Sequence, residues 1–136
     1  MKYIHLFAPD EDEKFSIPFF NFLKDEFIIE EHFFFIPEHA NEKLKINNKN
    51  VEYFNYGFFW ALKFFKYAFF CQKIIIHKIP HNIYFFLLFS IFSHLAKKSA
   101  WVIWGGDLYY YKFRNKKFKS NIVEFFRRII IRRFKY

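Results

Sequence analysis

Apolar runs and polar segments alternate along the first hundred residues with the spacing of an α/β protein. Short apolar runs rich in Phe and Ile predict β-strands at Lys2–Ala8, Phe33–Pro37, Val51–Phe54, Lys73–His77 and Ala100–Trp104. Longer segments with helical spacing predict α-helices after Ser16, over Phe58–Phe70 and over Ile83–Ala96. Strands that alternate with helices of this length predict an α/β fold with a doubly wound parallel sheet.

Two of the predicted helices have recognisable starts. Ser16 is a favourable capping residue, and Pro18 suits the first turn that follows. Asn82 is predicted to start the third helix, which is apolar on nearly every face.

This third run is shorter than the roughly 20 apolar residues that a membrane span needs, and Lys97 and Lys98 end it. A buried central helix is therefore favoured over an interfacial segment.

The amino-acid composition, in particular the single cysteine, is typical of a protein from a reducing compartment. Phe accounts for 25 of the 136 residues, whereas Gly accounts for only 3. The single cysteine, Cys71, excludes an intrachain disulfide framework and lies in an apolar run, which predicts a buried, inert thiol. No signal peptide is expected, because an acidic cluster follows the first strand and no apolar leader segment precedes it.

The positive charge is concentrated at one end of the chain. Residues 1–111 carry 12 basic and 12 acidic side chains, whereas residues 112–136 carry 10 basic and 1 acidic. The entire net charge of +9 therefore arises in the last segment. Such an asymmetry indicates a polyanionic partner: anionic lipid, nucleic acid or pyrophosphate.

The final segment, Ile122–Tyr136, has the pattern of a basic amphipathic helix. Apolar side chains fall on one half of the helical wheel, and most basic side chains fall on the other. Such a helix can lie on an anionic membrane surface, or it can pack on the sheet with its arginines in solvent. On the first interpretation the membrane-surface residues are Arg127, Arg128, Arg132 and Arg133, although Arg133 departs from the pattern.

The segment Trp101–Tyr111 is the most informative stretch of the sequence. An apolar run with two tryptophans ends on Gly105-Gly106, which is followed by the carboxylate of Asp107 and then by aromatic residues. In open α/β sheets, ligands collect at the carboxyl ends of strands. We therefore expect a ligand site here, with one acid in a crevice lined by flat rings.

The run Trp101-Val-Ile-Trp-Gly-Gly-Asp-Leu-Tyr109 resembles a Trp-x-Ile-Trp-Gly-(Ala/Gly)-Asp-Leu-Tyr signature. That signature belongs to the TDP-4-acetamido-4,6-dideoxygalactose:lipid II transferases, also called 4-α-L-fucosyltransferases, of glycosyltransferase family 56. The opening strand and the strand that ends at His77 match in position. The resemblance implies a GT-B-type enzyme that extends an undecaprenyl-pyrophosphate-linked saccharide. It also implies a peripheral location at the cytoplasmic face of the bacterial inner membrane, in surface-glycan synthesis such as that of enterobacterial common antigen.

The resemblance covers this chain but only the first half of a family member. It implies that residues 1–136 form one Rossmann-like, acceptor-binding domain, and that the domain for the nucleotide-sugar donor is missing. The isolated chain is then expected to be inactive as an enzyme. One departure from the family is Lys78, which stands where the family has a glycine after His77; this puts an anion-binding role of that turn in doubt.

Glycosyl transfer needs a base for the acceptor hydroxyl and groups that stabilise the leaving phosphate. Asp107 is the first candidate base, with helix capping or turn stabilisation as its structural alternative. His77, at the end of a strand, is a second candidate for base or pyrophosphate contact, and His5 is assigned the same geometry; a structural histidine is the alternative. The candidate acceptor and pyrophosphate residues are Gly105, Gly106, Tyr109, Lys112, Arg114 and Lys116.

No metal or cofactor is expected. Asp10-Glu11-Asp12 is interpreted as a loop of solvated acids rather than a metal site, and Pro80 argues against a site made by His77 and His81. Two other functions stay open. One is a basic, aromatic-rich nucleic-acid-binding domain in which Tyr109, Tyr110 and Tyr111 stack bases. The other is an inactive truncated product.

Overall fold

The computed structural model describes residues 1–7, 16–38, 46–55, 57–79 and 82–102, together with residues 125, 128, 129 and 132. The strands are β1 (Tyr3–Leu6), β2 (His32–Pro37), β3 (Val51–Phe54), β4 (Lys73–Ile76) and β5 (Ser99–Trp101). The helices are α1 (Ile17–Glu26), α2 (Phe58–Phe70), α3 (Ile83–Ile91) and α4 (Ser93–Lys97), and a 3₁₀ turn covers Ile29–Glu31.

The strands form one parallel sheet in the order β3-β2-β1-β4-β5. β1 lies at the centre, with Tyr3 opposite His32 on one side and opposite Lys73 on the other. The prediction of an α/β fold with an all-parallel sheet is confirmed. Helices on both faces make this architecture compatible with a Rossmann-like fold.

The alternation of side chains along β1 separates two apolar cores. Ile4 and Leu6 belong to the larger core, which also contains the buried residues of α2 and α3. Phe7 belongs to the smaller core, which contains Phe20 and Leu23 of α1. The connection from β1 to β2 and the connection from β4 to β5 run in opposite directions across the sheet. Because such crossovers are right-handed, their helices α1 and α3 lie on opposite faces of the sheet.

The helix boundaries differ from the sequence predictions in two places. α1 begins directly after Ser16, but the Ser16 side chain makes no capping hydrogen bond. The helix predicted over Ile83–Ala96 is broken at Phe92, where φ is −102° and ψ is 75°, into α3 and α4. Asn82 does cap α3, since its side-chain oxygen accepts hydrogen bonds from the backbone N–H groups of Tyr84 and Phe85.

α3 is not the fully buried helix that the sequence favoured. Phe85, Phe86 and Phe89 are buried, whereas one stripe of the helix is exposed: Tyr84, Leu87 and Ile91. Among the residues that the structure describes, no helix has the length and apolarity needed to cross a bilayer. Cys71 is buried as predicted; its thiol donates to the carbonyl of Ala68, and burial raises its pKa.

Candidate functional site

The carboxyl ends of β1, β4 and β5 meet at one edge of the sheet. The chain leaves β1 for α1 on one face and leaves β4 for α3 on the other, so a crevice is expected between the ends of β1 and β4. His77 follows β4 directly, and its backbone N–H donates to the carbonyl of Leu6 at 2.9 Å. The N–H of Val102 donates to the carbonyl of Ile76 at 2.9 Å. The start of the Trp101–Tyr111 segment therefore lies beside His77.

The imidazole of His77 is enclosed by aromatic rings. It lies flat on the ring of Phe7, with a centroid distance of 4.1 Å and an interplanar angle of 4°. Phe19 of α1 meets it edge-on at 4.6 Å. The side chain is only 5% exposed, so neighbouring rings, rather than water, form most of its surroundings.

A row of three histidines runs from His77 across the sheet. Nε2 of His77 lies 3.1 Å from Nδ1 of His5, and Nε2 of His5 lies 2.8 Å from Nδ1 of His32. Successive rings are inclined to each other by 24° and 27°, with centroids 5.1 and 5.4 Å apart. His5 also stacks on Phe34 at 4.8 Å, and Tyr3 stacks on His32 at 4.8 Å. The row thus connects the carboxyl end of β4 with the amino end of β2.

His5 lies at the centre of this row and determines its hydrogen-bond polarity. Both of its ring nitrogens are in contact with another imidazole, and a neutral imidazole has one donor and one acceptor nitrogen. His5 must therefore donate to one neighbour and accept from the other. The prediction that His5 shares the geometry of His77 is wrong, because His5 lies within β1 and is 1% exposed.

Burial keeps these imidazoles neutral at physiological pH. It lowers the pKa of His77 from 6.5 to about 4. It also lowers the pKa of His5 well below 6.5, and the neighbouring His77 and His32 lower it further. The pKa of the half-buried His32 is lowered by burial, against the opposing effect of Glu31. A neutral His77 can accept or donate one hydrogen bond, but it does not supply the positive charge that a pyrophosphate contact favours.

The row is also unsuited to hold a metal ion, because its ring nitrogens face one another instead of converging on a common point. Among the described residues, no group of three or more His, Cys, Asp or Glu side chains is arranged to bind a metal.

Most of the site residues predicted from sequence lie outside the described residues: Asp107, Gly105, Gly106, Tyr109, Lys112, Arg114, Lys116, Arg127 and Arg133. The acidic segment Asp10–Asp12 and His81 lie outside them too. Of the membrane-surface candidates, Arg128 is helical and Arg132 lies in a turn, and both are exposed. The backbone N–H of Arg132 donates to the carbonyl of Arg128, which fits the helix predicted for this segment.

Sequence reasoning missed His32 and the contact between His5 and His77. A signal was present, because His5, His32 and His77 each lie in or next to an apolar run. Their proximity depends on strand order and register, which the sequence pattern does not specify.

No protein-family model, no curated protein and no solved structure matches this chain. Its functional interpretation depends on its own residues and geometry.

Proposed function

We propose that this chain is the Rossmann-like, acceptor-binding domain of a GT-B-type glycosyltransferase that acts on an undecaprenyl-pyrophosphate-linked saccharide. The observation that carries the proposal is the pairing of β5 with β4. It brings Trp101 and Val102, the first residues of the signature, against the end of β4 beside His77. Ligands of open parallel sheets bind at this edge.

On this proposal Asp107 is the base that takes the proton from the acceptor hydroxyl. A carboxylate is unprotonated at neutral pH and can accept that proton when it lies within hydrogen-bond distance. His77 is less suited to this role, because rings enclose its imidazole and its pKa is about 4. We assign His77 instead to the wall of the site, where its contact with His5 fixes the orientation of its ring.

The pyrophosphate of the acceptor would be held by the segment that follows. Gly105 and Gly106 would allow close approach of the backbone, and Tyr109 would stack on a sugar ring. The basic side chains Lys112, Arg114 and Lys116 would balance the phosphate charge. On this proposal the arginines at 127, 128, 132 and 133 would lie at an anionic membrane surface, and the domain would be peripheral at the cytoplasmic face of the inner membrane.

The direct test is binding of an undecaprenyl-pyrophosphate-linked saccharide, presented in phosphatidylcholine nanodiscs, to the purified 136-residue chain, measured against the same nanodiscs without the saccharide. We expect saturable binding, which Asp107→Asn weakens about tenfold through the loss of a charged hydrogen bond. The matched control is Asp25→Asn, since Asp25 lies exposed on α1 and remote from this edge. Absence of binding by the wild type would contradict the proposal, and equal affinity of the Asp107 variant would remove Asp107 from the site.

Two further probes separate the alternatives. On this proposal the donor site lies outside these 136 residues, so the chain binds the acceptor without transferring sugar from a nucleotide-sugar. A single-stranded oligonucleotide tests the nucleic-acid-binding alternative. Micromolar affinity with a steep salt dependence would favour that alternative over the glycosyltransferase.

A further inference from the structure

The outward surface of α2 is apolar although it faces solvent. Opposite the buried Phe64, at 100° per residue, the helix places four phenylalanines, a leucine and a lysine. Phe59 is 84% exposed and Phe70 is 77% exposed. The exposed apolar residues of this helix are Phe58, Phe59, Leu62, Phe69 and Phe70.

α3 lies beside α2 on the same face of the sheet and extends this apolar surface. Its exposed stripe contains Ile91, which is 69% exposed. The rings of Phe58 and Tyr84 join the two helices at one end, with centroids 5.6 Å apart, and Phe69 meets His94 of α4 at 5.2 Å at the other. We call this surface the α2–α3 outer face: Phe58, Phe59, Leu62, Phe69, Phe70, Tyr84, Leu87 and Ile91. Contiguous exposed patches of this kind mark interaction sites.

Lysines outnumber acidic residues around this face, where Glu52 of β3 is an acidic neighbour. Between Glu52 and Asp107 the sequence contains no acidic residue, and it contains the lysines Lys63, Lys66, Lys73, Lys78, Lys97 and Lys98. Lys63 is paired with Glu52 of β3, and Lys98 donates to the backbone carbonyls of Phe69 and Cys71. Lys66 lies in the centre of the apolar arc of α2, and Lys66, Lys73 and Lys97 are exposed.

The opposite face of the sheet is different. α1 also exposes two aromatic rings, Phe22 at 55% and Phe27 at 56%, and these contact each other. Lys24, Asp25 and Glu26 lie between them in the sequence and are exposed, so this pair has one net negative charge beside it. The protein therefore has one apolar face with positive charge and one aromatic pair with negative charge.

We infer that the α2–α3 outer face docks on an anionic lipid bilayer. Exposed aromatic and aliphatic side chains enter the headgroup region, while neighbouring lysines meet the lipid phosphates. Charge complementarity selects this occupant. The basic segment 112–136 and a second copy of the face are both positively charged, so charge complementarity favours an anionic lipid surface over either of them. The inference is independent of glycosyl transfer, because it uses no residue of the proposed acceptor site.

The test is co-sedimentation of the full chain with vesicles of phosphatidylcholine containing phosphatidylglycerol, compared with phosphatidylcholine alone. We expect binding to the anionic vesicles and at least tenfold weaker partitioning of the double variant Phe59→Ser/Phe70→Ser. Both side chains are largely exposed, so the variant should keep its fold, and its circular dichroism and thermal unfolding should match the wild type.

The matched control is Phe22→Ser/Phe27→Ser, which removes two exposed rings from the opposite face of the sheet. It should bind as the wild type does. Wild-type affinity of the Phe59/Phe70 variant would overturn the inference, as would an equal loss in both double variants.

A second measurement separates the face from the C-terminal arginines. An environment-sensitive fluorophore on Leu62→Cys should shift to the blue on addition of anionic vesicles, and buried Cys71 should stay unlabelled. The shift should persist, at higher lipid concentration, in a variant with Arg127, Arg128, Arg132 and Arg133 changed to Gln. Absence of the shift in the labelled Leu62→Cys variant with all four arginines intact, under conditions where it binds, would show that another surface contacts the bilayer, and would overturn the inference.

Discussion

The imidazole of His77 lies almost parallel to the ring of Phe7, with 4.1 Å between the two centroids. His77 directly follows β4 and Phe7 directly follows β1. Their contact therefore covers the gap between the carboxyl ends of these two adjacent strands. A ring enclosed in this way is shielded from water, and burial opposes its protonation. The geometry of this edge therefore determines both the charge of His77 and the dependence of the fold on pH.

The protein should lose stability as the pH falls from 7.5 to 5. Well above pH 6.5 His77 is neutral in both the folded and the unfolded state and contributes nothing to pH dependence. Below pH 6.5 the unfolded chain binds a proton that folded His77, with a pKa of about 4, does not bind. For His77 alone the loss in the free energy of unfolding is about 2 kcal/mol at pH 5, and the lowered pKa of His5 adds to it.

Urea unfolding at a series of pH values measures this effect. His77→Gln should reduce the slope of stability against pH, because it removes the titrating group and retains an amide at the position of Nε2. His94→Gln is the control for the substitution itself, since His94 is exposed on α4 and lies outside the row, and it should keep a steeper slope than His77→Gln. An unfolding free energy that is constant between pH 7.5 and 5 would contradict the buried, neutral row.

The hydrogen bonds of the histidine row should be detectable by NMR. Scalar couplings across N–H···N hydrogen bonds should link His77 Nε2 with His5 Nδ1, and His5 Nε2 with His32 Nδ1, at 3.1 and 2.8 Å. Nitrogen-15 NMR of the imidazoles at pH 7.5 measures them. His32→Asn should remove only the second coupling. If neither His5 nitrogen shows a coupling, the row does not exist in solution.

Asn82→Ala should destabilise the protein by about 1 kcal/mol, the usual effect of removing an N-cap side chain. The Asn82 oxygen accepts from the N–H groups of Tyr84 and Phe85 at 2.9 and 3.1 Å. Urea unfolding at pH 7.5 measures the loss, and Asn82→Ser, which retains an acceptor, should recover most of it. Wild-type stability of the alanine variant would show that the cap contributes nothing to folding.

Local sequence patterns were sufficient to predict most of the architecture. The structure has the same bounds as predicted for β3, Val51–Phe54, and for α2, Phe58–Phe70. Both segments have strong local signals: turn-forming asparagines precede β3, and α2 keeps a helical period throughout. The alternation of strands and helices then predicted the parallel sheet.

Features that depend on tertiary contacts were not predictable. No Gly or Pro marks the break at Phe92; beyond it, Leu95 and Ala96 are buried before β5 begins. A helix that is apolar all round cannot reveal which side is covered, so the exposed stripe of α3 was missed. The histidine row needed the strand register, with Tyr3 opposite His32.

The most direct test of the account is to map acceptor binding onto the sheet by amide chemical shifts. An undecaprenyl-pyrophosphate-linked saccharide should perturb the amides of Phe7, His77 and Val102, at the carboxyl edge of β1, β4 and β5. Tyr3, Lys73 and Ser99, at the opposite ends of the same strands, should be unchanged. Perturbation confined to those three amides, or none at a saturating concentration of the saccharide, would contradict the assignment of the acceptor site to this edge.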